Sequence, residues 1–142
     1  MYHYTESGLQ HVWLTSGFIV RKTPYGKGVS IQDVAGLHKA ICKSIARKPS
    51  LTGAELRFLR KEMQMSQRAL AVLLGTSEQN VSLWERRGKI PRASDRLVKL
   101  ICLDYLKEDV RILELIRRLN DQDVRAQERL RFEHDRIWRE AA

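Results

Sequence analysis

Cysteine is scarce in this sequence, and the shortage narrows what the chain can be. Of 142 residues, two are Cys and three are Pro. Cys42 and Cys102 lie far apart, each inside an apolar helical pattern. That argues against the dense disulfide framework of a small secreted domain and for two buried thiols. No apolar run approaches the ~20 residues of a membrane-spanning helix. The opening MYHYTESG has no basic stretch followed by an apolar one, so no secretory signal is read and a cytoplasmic protein is expected. Catalytic patterns are missing as well. No Ser/His/Asp, Cys/His or paired-carboxylate arrangement points to an enzyme, so no catalytic residue is assigned. Gly26-Lys27-Gly28 lacks the Gly-Lys-Ser/Thr ending of a phosphate loop and is read as part of a hairpin turn.

What the chain has in excess is positive charge. Lys and Arg number 26 against 17 Asp and Glu, for a formal net charge of +9. Residues 1–50 hold seven basic and two acidic side chains, residues 51–103 ten and five, and residues 104–142 nine and ten. The attraction for a polyanion therefore lies in the first two sections. The third is charge-rich but balanced, which suits a solvated helix or a protein partner. At 142 residues the chain is long enough for one ordinary domain or two small ones, and a hydrophobic content of 43% lets at least one core form.

Residues 1–32 read as β-rich. HVWL and FIVRKT are dense in β-branched and aromatic residues, with Ser16-Gly17 as a turn between them. TPYGKG is a second turn cluster and VSIQ a third strand. Tyr2, Tyr4, Trp13 and Phe18 are read as a small core. A helix follows, capped by Asp33 and ended by Pro49, with Val34, Leu37, Ile41 and Ile45 as its apolar face. Lys39, Lys43 and Arg47 form a solvated basic stripe on it, and His38 is read as a surface or hydrogen-bonded histidine. Beyond the middle of the chain, residues 109–119 predict a helix with Val110, Leu113 and Ile116 inward. Residues 121–140 predict another, supported by acid-before-base pairs at Asp121–Arg125 and Asp135–Arg139.

Residues 52–105 carry helix punctuation at high density. Thr52 and Glu55 have capping-box spacing, followed by Leu56, Leu59 and Met63. Ser66 caps a second helix with Leu70, Ala71 and Leu74 inward, and Gly75 ends it. Ser77 caps a third, with Val81 and Trp84 inward. A fourth carries Leu97, Leu100, Ile101 and Leu103. A helix that stops at a glycine and restarts two residues later must turn sharply, and the small Ala71 lets the two helices cross closely. That is helix-turn-helix geometry, in which the second helix enters the DNA major groove.

The outer face of that helix then has a use. Glu78, Gln79, Ser82, Leu83 and Arg86 lie opposite Val81 and Trp84. A face that reads base edges needs amides, short polar groups and guanidinium. Gln79 can bond adenine bidentately, Arg86 can reach phosphate or guanine, and Leu83 can meet a thymine methyl. Glu78 can accept from cytosine or simply favour the positive helix N-terminus. Ser77 is grouped with this face, and Arg87, Lys89 and Arg92 stand where a backbone clamp is useful.

The stretch RKEMQMSQRALAVLLGTSEQNVSLWERRGKIPR resembles the Cro/CI-type, or xenobiotic-response-element type, helix-turn-helix repressors, with Arg60, Gln67, Ala71, Gly75, Val81, Trp84, Glu85 and Pro91 in register. The resemblance covers residues 51–105. It implies that Gln67 bonds a phosphate and that Arg60 and Glu85 form a partly buried ion pair between the first and third helices. YHYTESGL and TPYGKGVSI are similar to segments of MqsA-type antitoxins and related regulators, many of which hold zinc with two CxxC pairs. Neither pair is present, and His3, His11, His38 and His134 show no ligand spacing, so no metal or other cofactor is expected.

The expected fold is therefore mainly α. A small α+β module spans 1–49, a helix-turn-helix DNA-binding domain spans 50–105, and a helical extension spans 106–142. Two functional classes stand. One is a sequence-specific regulator of double-stranded DNA, a repressor acting as a homodimer held by the C-terminal region. The other is a protein-binding antitoxin or adaptor that neutralises a toxin or other protein. No membrane partner is expected.

Overall fold

Helix boundaries fall where side chains can satisfy free backbone donors. In the computed structural model, which describes residues 1–107, 132–135 and 137–140, Asp33 caps α1 (Val34–Ala46) by accepting from Gly36 N at 3.1 Å. A complete capping box opens α2 (Gly53–Glu62): Glu55 N donates to Thr52 Oγ1 at 3.2 Å, and Thr52 N donates to Glu55 Oε1 at 2.8 Å. Ser66 caps α3 (Gln67–Leu74) and Ser77 caps α4 (Glu78–Arg87). Both helices end at a left-handed glycine, Gly75 with φ 67° and Gly88 with φ 73°. Pro91 precedes α5 (Arg92–Leu106).

The strands pair differently from the sequence expectation. β1 (Tyr2–His3) pairs with β2 (Trp13–Leu14), and β3 (Phe18–Thr23) pairs with β4 (Gly26–Ile31), all antiparallel. HVWL therefore supplies only two strand residues, and their partner is the N-terminal segment rather than FIVRKT. Gly26-Lys27-Gly28 belongs to β4, and the hairpin turns at Pro24-Tyr25. Trp13 leaves the small core: it is 53% exposed and stacks on His3 with ring centroids 4.1 Å apart. Tyr4 is buried, while Tyr2 and Phe18 pack partly against the core.

Residues 132–135 and 137–140 are strands, not the end of a helix. β5 (Phe132–Asp135) and β6 (Ile137–Glu140) form an antiparallel hairpin. His134 sits opposite Trp138 with their rings edge to face at 5.1 Å, a cross-strand aromatic contact that can outweigh the ~0.3 kcal/mol of a solvated i,i+4 charge pair. The helix expected over 109–119 and the pair Asp121–Arg125 lie outside the described residues.

The core is continuous across the boundary drawn at residues 49 and 50. Tyr4, Leu9 and Leu14 belong to one cluster with Ile41 and Ile45 of α1, Leu56 and Leu59 of α2, Leu70 of α3, Val81 and Trp84 of α4, and Val98 and Ile101 of α5. A buried leucine of this kind contributes about 2 kcal/mol. The α1 face is Leu37, Ile41, Cys42 and Ile45; Val34 is exposed. Cys42 and Cys102 are buried free thiols. Their mutual hydrogen bond and their burial push Cys42 well above the usual thiol range.

α5 is rotated relative to its leucine pattern. Leu100 is 52% exposed, and Leu97 and Leu103 are only partly buried, whereas Asp95, Val98, Lys99, Ile101 and Cys102 face inward. A polar clamp sets this rotation. Asp95 Oδ2 accepts from Leu51 N at 2.7 Å, and Lys99 Nζ donates to the Lys48 carbonyl at 2.6 Å while lying 2.5 Å from Asp95 Oδ1. A second clamp ties the segment before α2 to that helix: Lys48 Nζ donates to both Glu55 oxygens at 2.8 Å, and His11 Nε2 stands 3.2 Å from Oε2. Burial would raise the Glu55 carboxyl, but the Lys48 ammonium and the Thr52 N–H outweigh it and hold it below the usual range.

Where α2 begins, it abuts the end of α4 with no side chain between them. A Cβ on Gly53 would overlap the Glu85 carbonyl. Gly53→Ala is therefore expected to destabilise the fold by about 1–3 kcal/mol, against the ~1 kcal/mol that alanine ordinarily adds to a helix. Urea denaturation measures it, and an unchanged or higher midpoint would contradict this close approach.

Candidate nucleic-acid interface

The turn between α3 and α4 is closed by backbone bonds. Thr76 N donates to the Ala71 carbonyl at 2.9 Å, and Gly75 N donates to that of Val72 at 3.3 Å. Ser77 then restarts the helix. Ala71 is buried where the helices cross, and Val81 and Trp84 anchor α4 inward. The opposite face is left to solvent: Ser77, Glu78, Gln79, Arg86 and Arg87 are exposed, and Ser82 and Leu83 are half-buried.

Half of the ten residues assigned from sequence to this surface meet in one place. Gln67, Glu78, Gln79, Ser82 and Arg86 line a depression of about 260 Å³. Arg86 Nε donates weakly to the Ser82 carbonyl at 3.4 Å, and the residue is exposed. Ser77, Leu83, Arg87, Lys89 and Arg92 do not line it. Arg87 joins Lys48, Ser50, Thr52 and Arg86 along a separate cleft of about 720 Å³ where α2 starts and α4 ends. Lys89 and Arg92 are exposed on either side of Pro91.

Beneath this surface lies the Arg60–Glu85 pair. Arg60 Nε and Nη2 donate to the two Glu85 oxygens at 3.0 and 2.9 Å, and Arg60 Nη1 donates to the Met65 carbonyl at 2.9 Å. The Glu85 side chain is 1% exposed and that of Arg60 11%. Gln67 Nε2 donates to the same carboxylate at 3.3 Å, so the amide that the family resemblance assigns to a phosphate also anchors the start of α3.

Three participants escaped the sequence reading. Arg57 Nε stands 3.4 Å from Glu85 Oε1, and its position three residues before Arg60 on the same helix face was the available signal. Asn80 is exposed on α4 and donates to Thr76 Oγ1 at 2.9 Å. Lys48 reaches the cleft from a connecting segment, for which no local pattern exists. His38 is a hydrogen-bonded histidine: Nε2 pairs with the Tyr4 hydroxyl at 2.7 Å and Nδ1 with Glu62 Oε1 at 2.6 Å. Among the described residues no group of three His, Cys, Asp or Glu side chains could hold a metal ion, and no helix is long and apolar enough to cross a membrane.

Comparisons with protein-family models, curated proteins and solved structures find no match to this chain.

Removing either Arg60 or Glu85 alone leaves a largely buried charge without its bidentate partner. Arg60→Met and Glu85→Gln are each expected to cost about 3 kcal/mol or more. The double variant should cost less than the sum of the two. A urea double-mutant cycle measures the coupling, and a value near zero would mean that both side chains are solvated in solution.

Proposed function

We propose that this protein is a sequence-specific DNA-binding transcriptional regulator, a repressor, that inserts α4 into the major groove of double-stranded DNA. The observation that carries the proposal is the two-sidedness of α4. One face is anchored by Val81, Trp84 and the buried Glu85 carboxylate. The other presents Glu78, Gln79, Ser82 and Arg86 around a single depression. A rigid helix with an amide, a hydroxyl and a guanidinium on its free face matches the donors and acceptors of base edges. Arg87, Lys89 and Arg92 supply phosphate contacts that position the helix without reading sequence.

One such helix reads a short site, and affinity grows when two copies sit on successive turns of the groove. We therefore propose a homodimer joined by the C-terminal region. There Ile137 and Trp138 are 70% and 71% exposed on the β5–β6 hairpin. A second reading, a protein-binding antitoxin or adaptor, has its own support in the groove of about 360 Å³ between β2 and α1, lined by Val12, Trp13, Leu37 and Ile41.

Binding-site selection on random duplex DNA with the purified protein tests the leading reading. An enriched motif is expected, and recovery of unselected sequence would remove that reading. On the selected site, Gln79→Ala should weaken binding by about 1–3 kcal/mol and relax preference at one base pair. Arg92→Ala should weaken all sequences alike and lower the salt slope by about one. Equal, uniform losses in both variants would refute the division of roles. A chain ending at Lys107 should sediment as a folded monomer; if it stays dimeric, the interface lies within residues 1–107.

A further inference from the structure

The β3–β4 hairpin contributes little to the core. Only Phe18 and Ile31, at its base, pack partly against the core, and every residue from Ile19 to Ser30 is exposed. A two-stranded ribbon with both faces in water is marginal by its own interactions. Its composition is one-sided in charge: residues 15–32 contain Arg21, Lys22 and Lys27 and no acidic residue. None of these three cations forms an ion pair among the described residues.

Two details of the register deepen the oddity. Lys22 lies directly opposite Lys27, a cross-strand like-charge pair that works against the hairpin. Arg21 lies opposite Gly28, and Thr23 opposite Gly26. Ile19, Arg21, Thr23, Ser30, Gly28 and Gly26 therefore share one face, which is slim toward the tip. The ribbon itself does not require glycine at 28: an added Cβ would meet nothing closer than the Arg21 carbonyl at 4.0 Å, and the residue is not in the left-handed region. Glycine inside a strand often marks a place where a ligand or another backbone approaches closely.

We propose that the β3–β4 ribbon is a second DNA contact, an arm that enters a groove with one face toward each phosphate strand: Arg21 and the slim Gly28 side toward one, Lys22 and Lys27, on the other face, toward the second. The proposal rests on the DNA-binding reading of α4 and adds a surface that the reading does not use. Phosphates of one strand offset the Lys22–Lys27 repulsion, and phosphates of the other give Arg21 a partner. Six residues per strand at ~3.3 Å each reach about 20 Å, enough to cross a major groove ~12 Å wide. A second copy of the ribbon is a poor occupant, because it would oppose three cations with three more.

The test uses the full chain, a labelled mixed-sequence duplex and the duplex recovered by selection, each titrated over salt. The variants are Arg21→Gln/Lys22→Gln/Lys27→Gln and, separately, Gly28→Val. The triple variant should keep its melting temperature, lose affinity for both duplexes, and show a slope of log K against log salt shallower by about two to three. Gly28→Val should melt no lower than the wild type yet bind both duplexes about tenfold more weakly. If the wild type binds DNA and both variants bind with unchanged slope and affinity, the arm is refuted and the α4 reading survives. If the wild type binds neither duplex, both fall. If the triple variant changes only self-association in sedimentation, the ribbon is a protein-binding surface and the proposal is overturned.

Discussion

A carboxylate with 1% of its side chain exposed must be met by charge and hydrogen bonds, and Glu85 is met from two other helices. Arg60 grips both oxygens from α2, Arg57 approaches from one turn earlier, and Gln67 donates from the first turn of α3. Because Glu85 sits near the end of α4, this one group fixes how α4 lies against both. Gly53 completes the constraint by letting the α2 backbone approach the Glu85 carbonyl without a side chain between them. The free face of α4 is free because its other face is held so firmly.

The same device recurs twice. Glu55 gathers Lys48, His11 and its own capping partner Thr52, tying the N-terminal segment to α2. Asp95 and Lys99 bind the backbone of Leu51 and Lys48, tying the connecting segment to α5. Replaced by matched apolar groups, such buried pairs often add little to stability, but losing one partner is costly. Here they orient: each stands where two elements must keep one angle. The connection from α1 to α2 is thus clamped at both ends, and the first 49 residues share a core with the helices that follow.

Charge on this molecule is divided by task. The acids inside belong to clamps, and their cationic partners, Arg60, Lys48 and Lys99, are spent there. Cations left outward on α1, on α4, around Pro91 and along the β3–β4 ribbon form no ion pair among the described residues.

Helix starts and stops were legible in the sequence because capping is local: Asp33, Thr52, Ser66 and Ser77 each bond a backbone N–H three residues away. The left-handed turn at Gly75, and the inward pair Val81 and Trp84, were legible for the same reason, since a residue and its helical neighbours suffice to specify them. The outer face of α4 follows from that inward pair. What the sequence could not determine depends on residues far along the chain. The rotation of α5, with Leu100 outward, is set by Lys48 and Leu51. The partner of β2 is the N-terminal strand, His38 is held between Tyr4 and Glu62, and Cys42 meets Cys102. In residues 132–135 and 137–140 a cross-strand aromatic pair prevails over helical charge spacing. Hydrogen-bond satisfaction within four residues is written locally; which buried charge meets which backbone is decided only when the helices pack.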